Sequence, residues 1–164
     1  MTTIAHASGI VLPVPAGRWP PPGDGIHLDH LAFDPKSELH VTLVGSALGR
    51  ELRATFGASV AARVREARGA LDWHFERSGR CLLLRKSRVE HGHVRVAHSI
   101  IELIDLPAMA PFQRALGRML GRQLPVPPPH VTLYTAGCAQ GIGVSSPAQL
   151  RALAVRGLLP GELD

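Results

Sequence analysis

The chain has 164 residues, 45% of them hydrophobic and 19% charged, which fits one globular domain with its own core and argues against a disordered chain. Its formal charge of +5 comes from 16 arginines and only two lysines, a balance that suits anionic partners such as nucleotides or RNA but also matches a simple compositional preference for arginine. No apolar run reaches the roughly 18 residues of a membrane-spanning helix, and two lone cysteines, Cys81 and Cys138, imply neither a disulfide nor a zinc pair.

The first residues, MTTIAHASGIVLP, lack a basic opening and a long apolar stretch, so no export signal is expected and the chain reads as cytoplasmic, with free thiols. Residues 13–25, PVPAGRWPPPGDG, are a Pro/Gly-rich surface lead, unsuited to a helix or a central strand. IHLDHLAF, 26–33, suggests a strand, DPKSE a turn, and LHVTLVG, 39–45, a second strand ended by Gly45. Ser46 then stands as an N-cap, and Leu48, Leu52, Phe56, Val60 and Val64 recur every four positions, predicting a helix over about 47–70 with a break at Gly57.

From residue 71 to 106, three runs rich in strand formers are separated by SGR and EHG, which predicts a three-stranded meander. PAMAPFQRALGRMLG, 107–121, predicts a helix with Met109, Phe112, Leu116, Met119 and Leu120 on one side. Arg114, Arg118 and Arg122 share another face, as a solvated stripe or an RNA track. PVPPP stops that helix and delivers His130 into a further strand. Ser146, Pro147 and Gln149 form a capping-box start for a last helix through SSPAQLRALAVRGL.

The chain writes His-Val-Thr-Leu twice, at 40–43 and 130–133. A strand alternates its side chains, so His40 and Thr42 face one way while Val41 and Leu43 face the other, and the second copy does the same with His130 and Thr132. One such tetrapeptide is ordinarily a half-buried strand with an incidental histidine; repetition with matching surroundings points to chemistry. Two imidazoles can supply a general base and a general acid at neutral pH, and two hydroxyls can donate to the oxygens of a phosphoryl group. That set suffices for cleaving a phosphodiester without a metal or an organic cofactor.

The stretches HVTLVG and PHVTLYT resemble the paired motifs of the 2H phosphoesterase superfamily, which includes 2'-5' RNA ligase-like proteins and 2',3'-cyclic nucleotide phosphodiesterases. Gly45 after the first motif and Pro129 before the second fit the same pattern. The likeness rests on about a dozen residues, and the element order extends it loosely over 26–160. It implies an α+β fold built as a bilobal duplication, with two antiparallel sheets facing a central cleft and helices outside. The chain would then be a single domain over 1–164, with pseudo-repeat halves near 26–90 and 91–160. His40 and His130 would be catalytic, and Thr42 and Thr132 would bind phosphate. The implied reaction is metal-independent opening of a 2',3'-cyclic phosphate on a nucleotide or an RNA terminus, with no obligate protein partner. Some relatives carry a basic residue just after the second motif, where this chain has Tyr134, Thr135 and Ala136, so substrate choice does not transfer.

Tyr134 and Trp73 are candidates for stacking on a base. Tyr134 lies two positions beyond Thr132 and should share its face. His91 and His93 could chelate a metal from one strand face, although a structural site needs more ligands. His74 and His98 could line the cleft, and His27 and His30 read as surface residues. Three rival readings remain: a non-catalytic RNA- or nucleotide-binding module, an enzyme cutting or joining 2'-5' linkages, and a metal-dependent hydrolase using the extra histidines. GDGIHL and GIGVSS lack the third glycine of a dinucleotide loop, and no Walker loop or G-x-S-x-G elbow occurs.

Overall fold

A computed structural model describes residues 9–164 together with the backbone pairing of Ala5–His6; much of the N-terminal stretch that shows no export-signal pattern lies outside the described residues. The chain is α+β, and its strands form an antiparallel sheet. They are β1 (Ala5–His6), β2 (Gly9–Pro13), β3 (Ile26–Leu28), β4 (Leu31–Pro35), β5 (His40–Val44), β6 (Glu76–Glu90), β7 (His93–Asp105), β8 (His130–Ala136) and β9 (Ala154–Gly157). The helices are α1 (Ser46–Phe56), α2 (Val60–Arg68), α3 (Met109–Leu120) and α4 (Pro147–Leu153). The main path runs β1-β2-β5-β8-β7-β6-β9, and the β3–β4 hairpin joins it through β8. The two sheets expected from the motifs are therefore joined as one hydrogen-bonded network. It is pinched between β5 and β8, which pair only at Val41↔Val131.

The two faces of the sheet bury different cores. Val41, Leu43, Leu83, Ile100, Val131 and Leu133 pack with Leu52 of α1, Val64 and Ala67 of α2, and Met109, Phe112 and Leu116 of α3. The opposite face carries a smaller cluster of Leu84, Ala97, Ile101, Ile142 and Val144, against which Leu150 and Leu153 of α4 pack. The alternation along β6 and β7 divides them cleanly: Leu83↔Ile100 faces the large core, and Leu82↔Ile101 faces the small one.

Several elements depart from the sequence reading for local reasons. IHLDHLAF is a hairpin, not one strand, because Asp29 and His30 both take positive φ, the backbone of a tight two-residue turn. His91 and Gly92 make the same kind of turn. His91 thus leaves the strand and shares no strand face with His93. The predicted meander is one long β6–β7 hairpin: Ser78–Arg80 is absorbed as a bulge between Arg77 and Cys81. Gly45, not Ser46, occupies the N-cap of α1, and it gives no side-chain cap. Gly57 does break the helical run, through a short 3-10 turn into α2. The last helix stops at Leu153, and Ala154–Gly157 becomes an edge strand on β6. The Pro/Gly-rich lead is more than a surface strap, since Val14 and Trp19 are buried and the Arg77 guanidinium lies 4.1 Å over the Trp19 ring. Among the described residues, no helix is long and apolar enough to cross a membrane.

Candidate active site on the motif face

The Val41↔Val131 register decides how the two motifs meet. In an antiparallel pair, residues directly opposite share a face. Val41 and Val131 point together into the large core. The residues on either side, His40 and Thr42 on β5 and His130 and Thr132 on β8, all point to the opposite face, although the ladder itself extends no further than this pair. Burial follows this alternation in the first copy, where His40 and Thr42 are half-buried and Val41 and Leu43 are enclosed. The four candidate residues thus share the motif face on two adjacent strands.

His130 is only 8% exposed. Its Nδ1 lies 2.8 Å from the carbonyl oxygen of Pro128, and a carbonyl only accepts, so Nδ1 carries the hydrogen and donates it. Nε2 is left with its lone pair, the atom a general base needs. Burial pushes the pKa of His130 below the ordinary 6.5, against a smaller opposing effect of the Pro128 bond. Burial therefore favours the neutral ring, and the Pro128 bond fixes its tautomer. PVPPP does not stop α3, which ends earlier at a left-handed Gly121; its third proline instead supplies the acceptor that orients the ring.

Thr132 is approached by a loop. The loop between β8 and α4 lays Gly141 against it so closely that a Cβ there would stand 2.8 Å from Thr132 Oγ1 and 3.2 Å from Cγ2. The loop is pinned at Ile142, whose N–H donates to Ser99 Oγ at 3.0 Å, and at Ala139, whose carbonyl accepts from Lys36 Nζ at 3.0 Å. GIGVSS, no dinucleotide loop, is the roof over the second threonine. The signal it carried was a glycine, Gly141, where the chain passes too close to a strand for a Cβ.

Tyr134 does not share the face of Thr132. Thr132 pairs with Ile101 but Tyr134 pairs with Ile100, so β8 carries one extra residue there and its alternation inverts. Tyr134 is 6% exposed, joins the large core, and leaves Thr135 to face the motif side. Trp73 is also removed from the motif face. Its ring packs edge-on against Phe112 of α3 at 5.3 Å, beneath the Arg68 guanidinium. His98 faces Phe33 on the core side, and burial together with nearby Arg85 lowers its pKa. His74 contacts Arg18 near Phe75, away from both motifs.

A cavity of about 490 Å³ opens from Thr42. It runs past Gly45, Ser46, Lys86 and Gln113 to Ser145 and Gln149, with Leu48, Leu124, Pro125 and Val144 as apolar walls. His40, His130 and Thr132 lie outside its lining. It exists because the β5–β8 ladder stops after one pair: beyond Val41 the strands part, and Gln113 Nε2 donates to the freed Leu43 carbonyl at 2.7 Å. Neither protein-family models nor curated proteins nor solved structures yield a match to this chain.

Proposed function

We propose that this chain is a two-histidine phosphodiesterase that opens 2',3'-cyclic phosphates on nucleotides or RNA ends. The observation that carries the reading is the Val41↔Val131 register, which sets both His-x-Thr pairs on one face of the sheet. An antiparallel pair has a local two-fold axis, so the copies are related as two halves of a duplicated, bilobal unit would be. β2 flanks β5 and β7 flanks β8 in the same antiparallel sense, which supports that origin.

The proton inventory assigns roles. Neutral His130, with Nδ1–H bound to Pro128, takes a proton from water through Nε2. The water oxygen bonds to phosphorus as the bond from phosphorus to one ribose oxygen breaks. His40, as imidazolium, delivers its proton to that leaving oxygen. One phosphomonoester and one free hydroxyl result. The Thr42 and Thr132 hydroxyls donate to the non-bridging oxygens, where charge builds in the transition state. None of these steps calls on a metal.

The test is hydrolysis of the four 2',3'-cyclic nucleoside monophosphates in excess chelator by wild type, His40→Ala and His130→Ala. Loss of about a hundredfold or more in each mutant is expected, the usual scale for removing a positioned acid or base. Wild-type-like turnover in either mutant rules the mechanism out. Binding of product without any turnover would favour a nucleotide-binding module instead.

A further inference from the structure

The β6–β7 hairpin outruns its neighbours. β9 pairs with β6 only as far as Leu84, and β8 pairs with β7 only from His98 onward. Residues 86–97 therefore continue as a two-stranded ribbon, from Lys86↔Ala97 to Glu90↔His93. Two strands alone are marginal in water, so a third strand would be rewarded. The two edges of the ribbon differ. On the β7 side the chain after β8 closes the edge: a Cβ on Gly137 would stand 2.4 Å from the Val96 carbonyl oxygen. On the β6 side, among the described residues, nothing bonds to the backbone beyond Leu84. Cys81 O accepts from Leu158 N and so faces the β9 side. The register of β6 is regular from Cys81 to Glu90, and backbone groups alternate in direction along it. Ser87 and Val89 thus turn their N–H and C=O groups to the open edge.

The side chains say what fits there. Val89 and Val94 stand directly opposite each other and are 72% and 68% exposed. On the other face Arg88 stands directly opposite Arg95, a like-charge pair that costs stability without an anion beside it. Glu90, 3.5 Å from Arg88, is the one acid of the ribbon; Arg85, Lys86 and Arg95 have no carboxylate partner among the described residues. Basic side chains along an edge repel a second copy of the same edge, so the complement is acidic.

We propose that the β6 edge of this ribbon takes an extended segment of a partner protein as an added strand, a segment in which acidic residues alternate with apolar ones. Its backbone pairs with Ser87 and Val89. Its acidic side chains lie on the face of Lys86, Arg88 and Arg95, and its apolar ones on the face of Val89 and Val94. A nucleic-acid strand would meet the arginines but leave the valines and the open backbone groups unused. The surface is independent of the phosphodiesterase reading.

The test is titration of the protein with a blocked peptide of three Glu-Val repeats, read by calorimetry and by amide chemical shifts. Binding should shift the Ser87 and Val89 amides, and three Lys-Val repeats should bind about tenfold or more weakly. The Glu-Val peptide N-methylated at every residue has no amide hydrogen to donate and should not bind. Ser87→Pro removes one outward N–H at an edge, where proline is tolerated, and should weaken binding by about tenfold. Lys86→Glu combined with Arg88→Glu should reverse the preference to the Lys-Val peptide, which a collapsed ribbon would not do. No binding of the Glu-Val peptide by wild type, equal binding of both peptides, binding of the N-methylated form, or indifference to Ser87→Pro overturns the proposal. So does a single-stranded oligonucleotide that binds as tightly at the same amides, which would make the ribbon a contact for any polyanion.

Discussion

The two HVTL copies have identical residues and different surroundings, and on the proposed mechanism the difference separates their roles. The first lies on β5, half-exposed at His40 and Thr42, and runs directly into an uncapped helix. The second lies on β8, with His130 enclosed, its ring tethered to Pro128, and Thr132 overlain by Gly141. An enclosed, tethered imidazole favours the neutral base. On the same mechanism, a half-exposed imidazole suits the group that must reload its proton from water. Sequence repetition supplies matched parts; burial and backbone contacts break the equivalence.

The sharpest way to break this asymmetry is Gly141→Ala. The added methyl would collide with Thr132, whose β-branched side chain has few alternative rotamers and supplies the three atoms nearest to it. Turnover should fall about tenfold or more through loss of one phosphate donor, with His40 and Thr42 undisturbed. Gly23→Ala, where an added Cβ also meets nothing within 4 Å, serves as the control and should leave turnover near wild type.

A gentler probe is pH. Burial lowers the pKa of His130, so the acid limb of kcat/KM should have its midpoint below 6.5. The same shift links to stability. The unfolded chain binds a proton at His130 more readily than the folded one, so stability contributed by the neutral ring is complete above 6.5 and falls as pH drops through and below that value. His98 is shifted in the same direction by burial and Arg85, so the stability slope of His98→Gln must be compared with that of His130→Gln. An acid limb above 6.5 would place the base elsewhere. The smallest expected effect is Tyr134→Phe. Because the bulge turns Tyr134 into the core, kcat and KM should stay within about twofold of wild type, whereas a stacking residue would shift KM.

What was legible in the chain was local. The alternation in HVTL, the apolar stripe of α3, the break at Gly57 and the Ser146 cap each depend on residues a few positions apart, and each is present. The rest depended on partners. The extra residue in β8 is visible only against the register of β7, so the shared face of Thr132 and Tyr134 could not be checked from spacing. Ser78–Gly79 reads as a turn but sits within a long hairpin that tolerates a bulge. The Asp29–His30 turn contains no glycine, so a hairpin was hidden in an apparent strand. The cavity residues left faint marks: Gln113 is a lone polar side chain on the apolar stripe of α3, and Lys86 is one of two lysines among 16 arginines.

The single-pair seam has a kinetic consequence. Val41 and Val131 close a loop of about ninety residues, whereas the β6–β7 hairpin pairs neighbours across a two-residue turn. Closing the longer loop costs more chain entropy and is rewarded by few strand pairs, Val41↔Val131 and the two between β4 and β8, so β5 and β8 are expected to join late in folding, after the long hairpin has formed. Until then the imidazoles belong to separate parts of the chain. Recovery of turnover during refolding should lag behind amide protection in β6 and β7, which makes activity a clock for closure of the sheet.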